Sequence, residues 1–113
     1  MENNSKITRG SIVLCELANN KGTSVQSGIR PCIVISNEKC NTYSSTVSVI
    51  PLTSANKKPL PVHVELNNLP KTSIALVEQL TVIDKTKIIK LLDNVDFETM
   101  CKLDRAIALQ FAL

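Results

Sequence analysis

Aromatic side chains are nearly missing from this sequence: there is no tryptophan, one tyrosine and two phenylalanines, 3% of 113 residues in all. Tyr43 is the only aromatic outside the C-terminal segment, which limits any recognition that works by stacking on rings. His63 is the sole histidine, so one chain cannot supply the two imidazoles of a paired acid–base catalyst unless two copies juxtapose theirs. The four cysteines (Cys15, Cys32, Cys40, Cys101) include no Cys-x-x-Cys pair, and closely spaced ligand pairs of the kind zinc requires are absent. No metal site and no cofactor are expected. No apolar run approaches the roughly 20 residues that cross a bilayer. The start, "MENNSKITRG", has no apolar segment of the signal-peptide kind. These absences predict a soluble, cytoplasmic protein with reduced thiols and no membrane partner.

What remains is an ordinary globular composition, 43% hydrophobic and 20% charged, with a formal net charge of +3. The length fits a single domain spanning 1–113. A charge this mild permits a phosphate-bearing partner without requiring one.

The apolar pattern is that of strands. Ser11 to Leu17 is β-rich, and residues 18–28, "ANNKGTSVQSG", form a polar loop hinged at Gly22 and Gly28. Pro31 opens a second strand, and "NTYSS" at 41–45 reads as a turn. Thr46 to Leu52 alternates at the two-residue period of a half-buried strand, as does Val62 to Leu66 after the polar loop 53–61. Ser73 to Ile83 is a long β-prone run interrupted by Glu78 and Gln79, and a short strand is expected over Ile88 to Leu91. The period then changes: Asp96 is a suitable N-cap, and Phe97, Met100, Leu103, Ile107 and Phe111 recur at helical steps. Short strands followed by one amphipathic helix, without β–α alternation, predict a mainly β fold, a small antiparallel barrel with minor α.

One residue is out of keeping with this pattern. Arg30, one of three arginines, stands at the mouth of the apolar run in "GIRPCIVISN" (28–37). A guanidinium stays charged at any accessible pH, and burying it unpaired costs several kcal/mol. Arg30 is either a solvated turn residue or a group that faces something negative.

The blocks "RGSIVL" (9–14), "GIRPCIVISN" (28–37), "TVSVIPLTS" (46–54), "LPVHVEL" (60–66) and "SIALVEQLTVIDK" (73–85) occur in an order that closely resembles the MazF/PemK family of toxins. The resemblance runs from about Arg9 to Leu113. It implies an SH3-like barrel of the MazF/CcdB type, a homodimer, and a sequence-specific endoribonuclease (an mRNA interferase) that cuts single-stranded RNA without metal. The products would carry a 2′,3′-cyclic phosphate and a 5′-hydroxyl. It also implies a cognate antitoxin of the MazE type.

The family's catalytic arginine falls on Arg30 and its catalytic threonine on Thr53. Such a pair suits metal-free cleavage by the ribose 2′-OH: a guanidinium forks onto phosphoryl oxygens while a hydroxyl bonds to the same group. RNA contacts are expected from polar loop groups Gln26, Ser36 and Asn37 and from Lys57 and Lys58. Glu78 and Gln79 either lie on the solvent face of a sheet or, in the case of Gln79, read a base edge or back the site. His63, flanked by Val62 and Val64, is expected to be structural or at the surface.

The chain departs from the family pattern at three places: Ser11 replaces a usual aspartate, Val25 a frequent acid, and Ser27 the first of two glycines. The alternatives are a CcdB-like gyrase poison and a catalytically silent binding module on the same barrel.

Overall fold

The computed structural model describes residues 6–54, 58–67 and 69–113. Seven strands lie among them: β1 (Ser11–Leu17), β2 (Gly28–Val34), β3 (Thr46–Thr53), β4 (His63–Leu66), β5 (Ser73–Leu76), β6 (Thr81–Asp84) and β7 (Ile88–Asn94). Helix α1 (Glu38–Tyr43) follows β2, and α2 (Phe97–Phe111) closes the chain. All pairings are antiparallel, in the order β4-β5-β3-β2-β1-β7, with β6 also paired to β3. The strand path is open rather than closed into a ring, but the element order and the single C-terminal helix are those expected.

The central strands bury both faces, which is why they read as nearly continuous apolar runs. On one face Ile12, Ile33, Ile50 and Leu52 join Val64, Leu66 and, from α2, Leu103 and Ala106. On the other, Val13, Cys15, Cys32, Val34, Val47 and Val49 pack with Ile83 of β6 and Ile88 of β7. Burying an aliphatic side chain of this size contributes about 1.5–3 kcal/mol, so the two cores fix the pleat and register of β1–β3.

Strand β3 is the branch point of the sheet. One edge pairs β2 at Val49, Ile50 and Pro51. The other edge pairs β6 from Thr46 to Val49, then β5 at Leu52 and Thr53. The chain passes from β5 to β6 through a 3-10 turn, Val77–Gln79. The long strand expected over Ser73–Ile83 is therefore two strands with a jog between them, and Glu78 and Gln79 lie in the jog rather than on a sheet face.

Other expectations shift for local reasons. Strand β2 begins at Gly28, whose φ of 77° turns the loop into the strand, so Pro31 lies inside β2 rather than at its start. Residues 38–43 are a single helical segment, capped where the Asn37 side chain accepts from the Cys40 N–H; six residues are too few to show a helical period. Strand β7 extends to Asn94, past Leu91. Asp96 caps α2 as expected by accepting from the Thr99 N–H. Leu103 is the buried anchor of that helix, but Phe97 and Phe111, read as part of the packed stripe, are 86% and 51% exposed. Arg9 ties α2 to the sheet, donating to the Ile35 carbonyl and to Asp104 at 2.8 and 2.6 Å.

Candidate active site

The β2–β3 ladder ends at the pair Cys32–Pro51. Pro31, which would face Leu52 next, has no N–H with which to extend it, while β3 continues along its other edge with β5. The two strands fork there. Continuing the register by two residues sets Arg30 on one arm across from Thr53 on the other. Both line one cleft of about 580 Å³, together with Pro31, Leu52, Ser54, Lys71, Ser73 and Asp93.

Arg30 is half-buried, and its Nε donates to the Ser27 carbonyl at 3.2 Å. That bond uses one donor of the guanidinium and leaves the terminal NH₂ groups to present a fork. No carboxylate forms an ion pair with Arg30 among the described residues. Thr53 is only 3% exposed, not the surface hydroxyl that a strand end suggests. Its backbone is held in the pairing with Ile74 of β5.

Beneath Arg30 lie two buried thiols. Cys15 pairs with Arg30 across β1 and β2, and Cys32 follows Arg30 by two residues on the same face. The two sulfurs are 3.1 Å apart and both thiols are free. The hydrogen bond with Cys15, and then burial, push the Cys32 thiol far above its ordinary range. The same hydrogen bond lowers Cys15, against the effect of burial. The Cys32 Sγ also donates to the Arg30 carbonyl at 3.7 Å, so the thiol pair packs against the backbone that carries the guanidinium.

The other expected RNA contacts are distributed unevenly. Gln26 is buried in the loop before Arg30. Gln79 reaches that loop from the 3-10 turn: its Oε1 accepts from the Gln26 N–H at 2.8 Å and its Nε2 donates to the Ser24 carbonyl at 3.0 Å. Ser36 and Asn37 lie past the opposite end of β2, on the order of 20 Å along the chain from Arg30 at strand rise. Their polar groups serve α1 and its neighbours, Ser36 Oγ donating to Asn41 Oδ1 and accepting from the Ser48 N–H. The fold does not bring them into the Arg30 cleft. Lys58 is exposed, and Lys57 lies outside the described residues.

His63 is not on a free sheet face. Its Nδ1 accepts from the Leu60 N–H, which places the ring proton on Nε2, 3.0 Å from Glu78 Oε2. It lines no part of the Arg30 cleft. Lys71 does, and sequence reasoning missed it. Its signal is the "NNLPK" turn, but that turn acquires meaning only once β5 is known to pair with Thr53.

The arrangement offers one fixed cation, a buried hydroxyl and a second cation nearby, in a cleft with apolar walls. This suits an anion carried on a larger, partly apolar ligand. A family model described as PemK-like, MazF-like toxin of type II toxin–antitoxin systems matches residues 8–111. The chain belongs to that family. Endoribonuclease MazF of Staphylococcus epidermidis is 35% identical over 112 residues, covering 95% of this chain and 92% of the relative. Among solved structures, MazF from Deinococcus radiodurans superposes with a TM-score of 0.80 at 18% identity, over 94% of this chain and 96% of that one. An endoribonuclease in complex with its cognate antitoxin, from a mycobacterial species, gives 0.79 at 23% identity, over 94% and 95%. These structural likenesses establish that the chain has the family's fold.

Proposed function

We propose that the chain is the toxin of a toxin–antitoxin pair and acts as a sequence-specific, metal-independent endoribonuclease on single-stranded RNA, including mRNA. The observation that carries this reading is the meeting of Arg30 and Thr53 at the fork of β2 and β3. The relative named an endoribonuclease supports it. The ribose 2′-OH attacks its own phosphorus and gives up its proton to solvent. The bond to the departing 5′-oxygen breaks and that oxygen takes up a proton from solvent, leaving a 2′,3′-cyclic phosphate and a 5′-hydroxyl. Arg30 stabilises the charge that builds on the phosphoryl oxygens, and the Thr53 hydroxyl donates to the same group. Lys71 and Lys58 hold the flanking backbone. His63 takes no part, because both ring nitrogens are engaged elsewhere.

The one domain spanning 1–113 works in the cytoplasm as a homodimer, held by a cognate antitoxin of the MazE type when silent. Exposed Phe97, Leu109, Phe111 and Leu113 on and beyond α2 give apolar area that a second copy would cover. The relative solved with its antitoxin supports that partner. No helix among the described residues is long and apolar enough to cross a membrane.

The test is incubation of the purified protein with a defined RNA in excess EDTA, followed by end-mapping. Cleavage at a recurrent sequence with 5′-hydroxyl ends is expected. Intact RNA would favour a gyrase poison or a silent binding module on this fold, and activity restored only by magnesium would refute the metal-free mechanism.

A further inference from the structure

The loop before Arg30 is braced within itself. Asn20 Nδ2 donates to the carbonyls of Ala18 and Gln26, Thr23 Oγ1 donates to the Asn20 carbonyl, and the Val25 N–H donates to Thr23 Oγ1. Such a loop moves as one piece, so the point where it is fastened decides where it sits. Gln79, far away in sequence, fastens it with both ends of one carboxamide, at the Gln26 N–H and the Ser24 carbonyl. The residue after Gln26 is Ser27, whose carbonyl accepts from Arg30 Nε.

We propose that Gln79 is a positioning residue for catalysis, clamping the 24–26 backbone so that the Ser27 carbonyl holds the Arg30 guanidinium in its working orientation. The inference rests on the catalytic role proposed above for Arg30. A side chain that only read a base edge would need a donor or acceptor turned towards RNA. Both polar ends of Gln79 are turned towards the loop. The 3-10 turn between β5 and β6 carries Gln79 to the loop.

The experiment is a double-mutant cycle on single-turnover cleavage of a defined RNA. Gln79→Met keeps the length and bulk of the side chain and removes both hydrogen bonds. It is expected to slow cleavage roughly tenfold, the scale on which a small misplacement of a catalytic group acts. Melting should stay near that of the parent, and hydrogen exchange at the Gln26 amide should accelerate. In an Arg30→Ala background the same substitution should cost nothing more, because its effect passes through Arg30. Gln79→Glu keeps the acceptor towards Gln26 and should retain more activity than Gln79→Met.

Parental cleavage by Gln79→Met, beside an impaired Arg30→Ala, would overturn the clamp and leave the role of Arg30 standing. A further tenfold loss in the Arg30→Ala background would overturn it as well, since Gln79 would then act on RNA or on the fold directly. Gln79→Glu as slow as Gln79→Met at unchanged melting would also count against it. Parental cleavage by Arg30→Ala would remove the proposed mechanism itself, and the clamp with it.

Discussion

Arg30 and Thr53 stand two residues past the last pair of the β2–β3 ladder, one on each arm of the fork that begins at Pro31. A residue lacking an N–H stops a ladder that the apolar pattern would otherwise continue. In the proposed mechanism, the gap left is where a phosphodiester meets a cation and a hydroxyl at once.

Thr53 is buried, so its side chain contributes to packing as well as to the proposed chemistry. Thr53→Val keeps the volume and removes the hydroxyl, and is expected to slow cleavage by roughly a hundredfold, the effect of losing one transition-state donor. Thr53→Ser should keep most of the rate. Thr53→Ala should also lose about 1–2 kcal/mol of stability, since a buried methyl and a buried hydrogen-bonding group go together. Rates and thermal melts of the three variants check this, and a Thr53→Val enzyme with the parental rate would remove the hydroxyl from the mechanism.

The thiols should divide by burial. Cys40 is exposed and Cys101 half-buried, whereas Cys15 and Cys32 are fully enclosed and share a hydrogen bond. A thiol-labelling reagent should modify Cys40 first in the native protein and reach Cys15 and Cys32 only on unfolding. The raised Cys32 thiol should stay unreactive even in mild alkali. Mass spectrometry of labelled protein reads the result, and early labelling of Cys32 would contradict the packing under Arg30.

The acid limb of stability has a nameable contributor. Hydrogen bonds from the side chain and backbone of Thr99 hold the Asp96 carboxyl below its ordinary range. A depressed folded value gives stability that is present above the unfolded pKa of about 3.9 and is lost as pH falls through the folded value. Asp96→Asn keeps an acceptor for the cap and removes the titration. Its melting temperature should therefore fall less than the parent's on going from roughly pH 5 to pH 2. Identical acid profiles for the two proteins would show that the cap does not titrate.

Much of this fold was legible in the sequence, because alternating and continuous apolar runs mark β1, β2 and β3 wherever burial is two-sided. The Asp96 cap with Leu103 marks α2 equally well. What escaped were features set by partners distant in sequence. The break at Val77–Gln79 depends on β3 changing neighbours at Pro51, which no local period records. The exposure of Phe97 and Phe111 depends on how much of α2 the sheet can cover. Arg30 was legible as a charge out of place, and Thr53 through resemblance to relatives. The distance of Ser36 and Asn37 from the cleft follows from the length of β2 alone and could have been read from it. Gln79 could not, since only the folded loop puts Ser24 and Gln26 beside it.

Quantitative cleavage and binding by Arg30→Ala test the mechanism most directly. If the guanidinium stabilises charge that develops only in the transition state, the cleavage rate should drop by roughly a hundred- to a thousandfold. RNA affinity should fall far less, because other cations also meet the backbone. Arg30→Lys should restore little, since an ammonium cannot make the planar two-pronged contact. Cleavage by Arg30→Ala at the parental rate, with an unchanged melt, would make Arg30 a mere turn residue and contradict the mechanism.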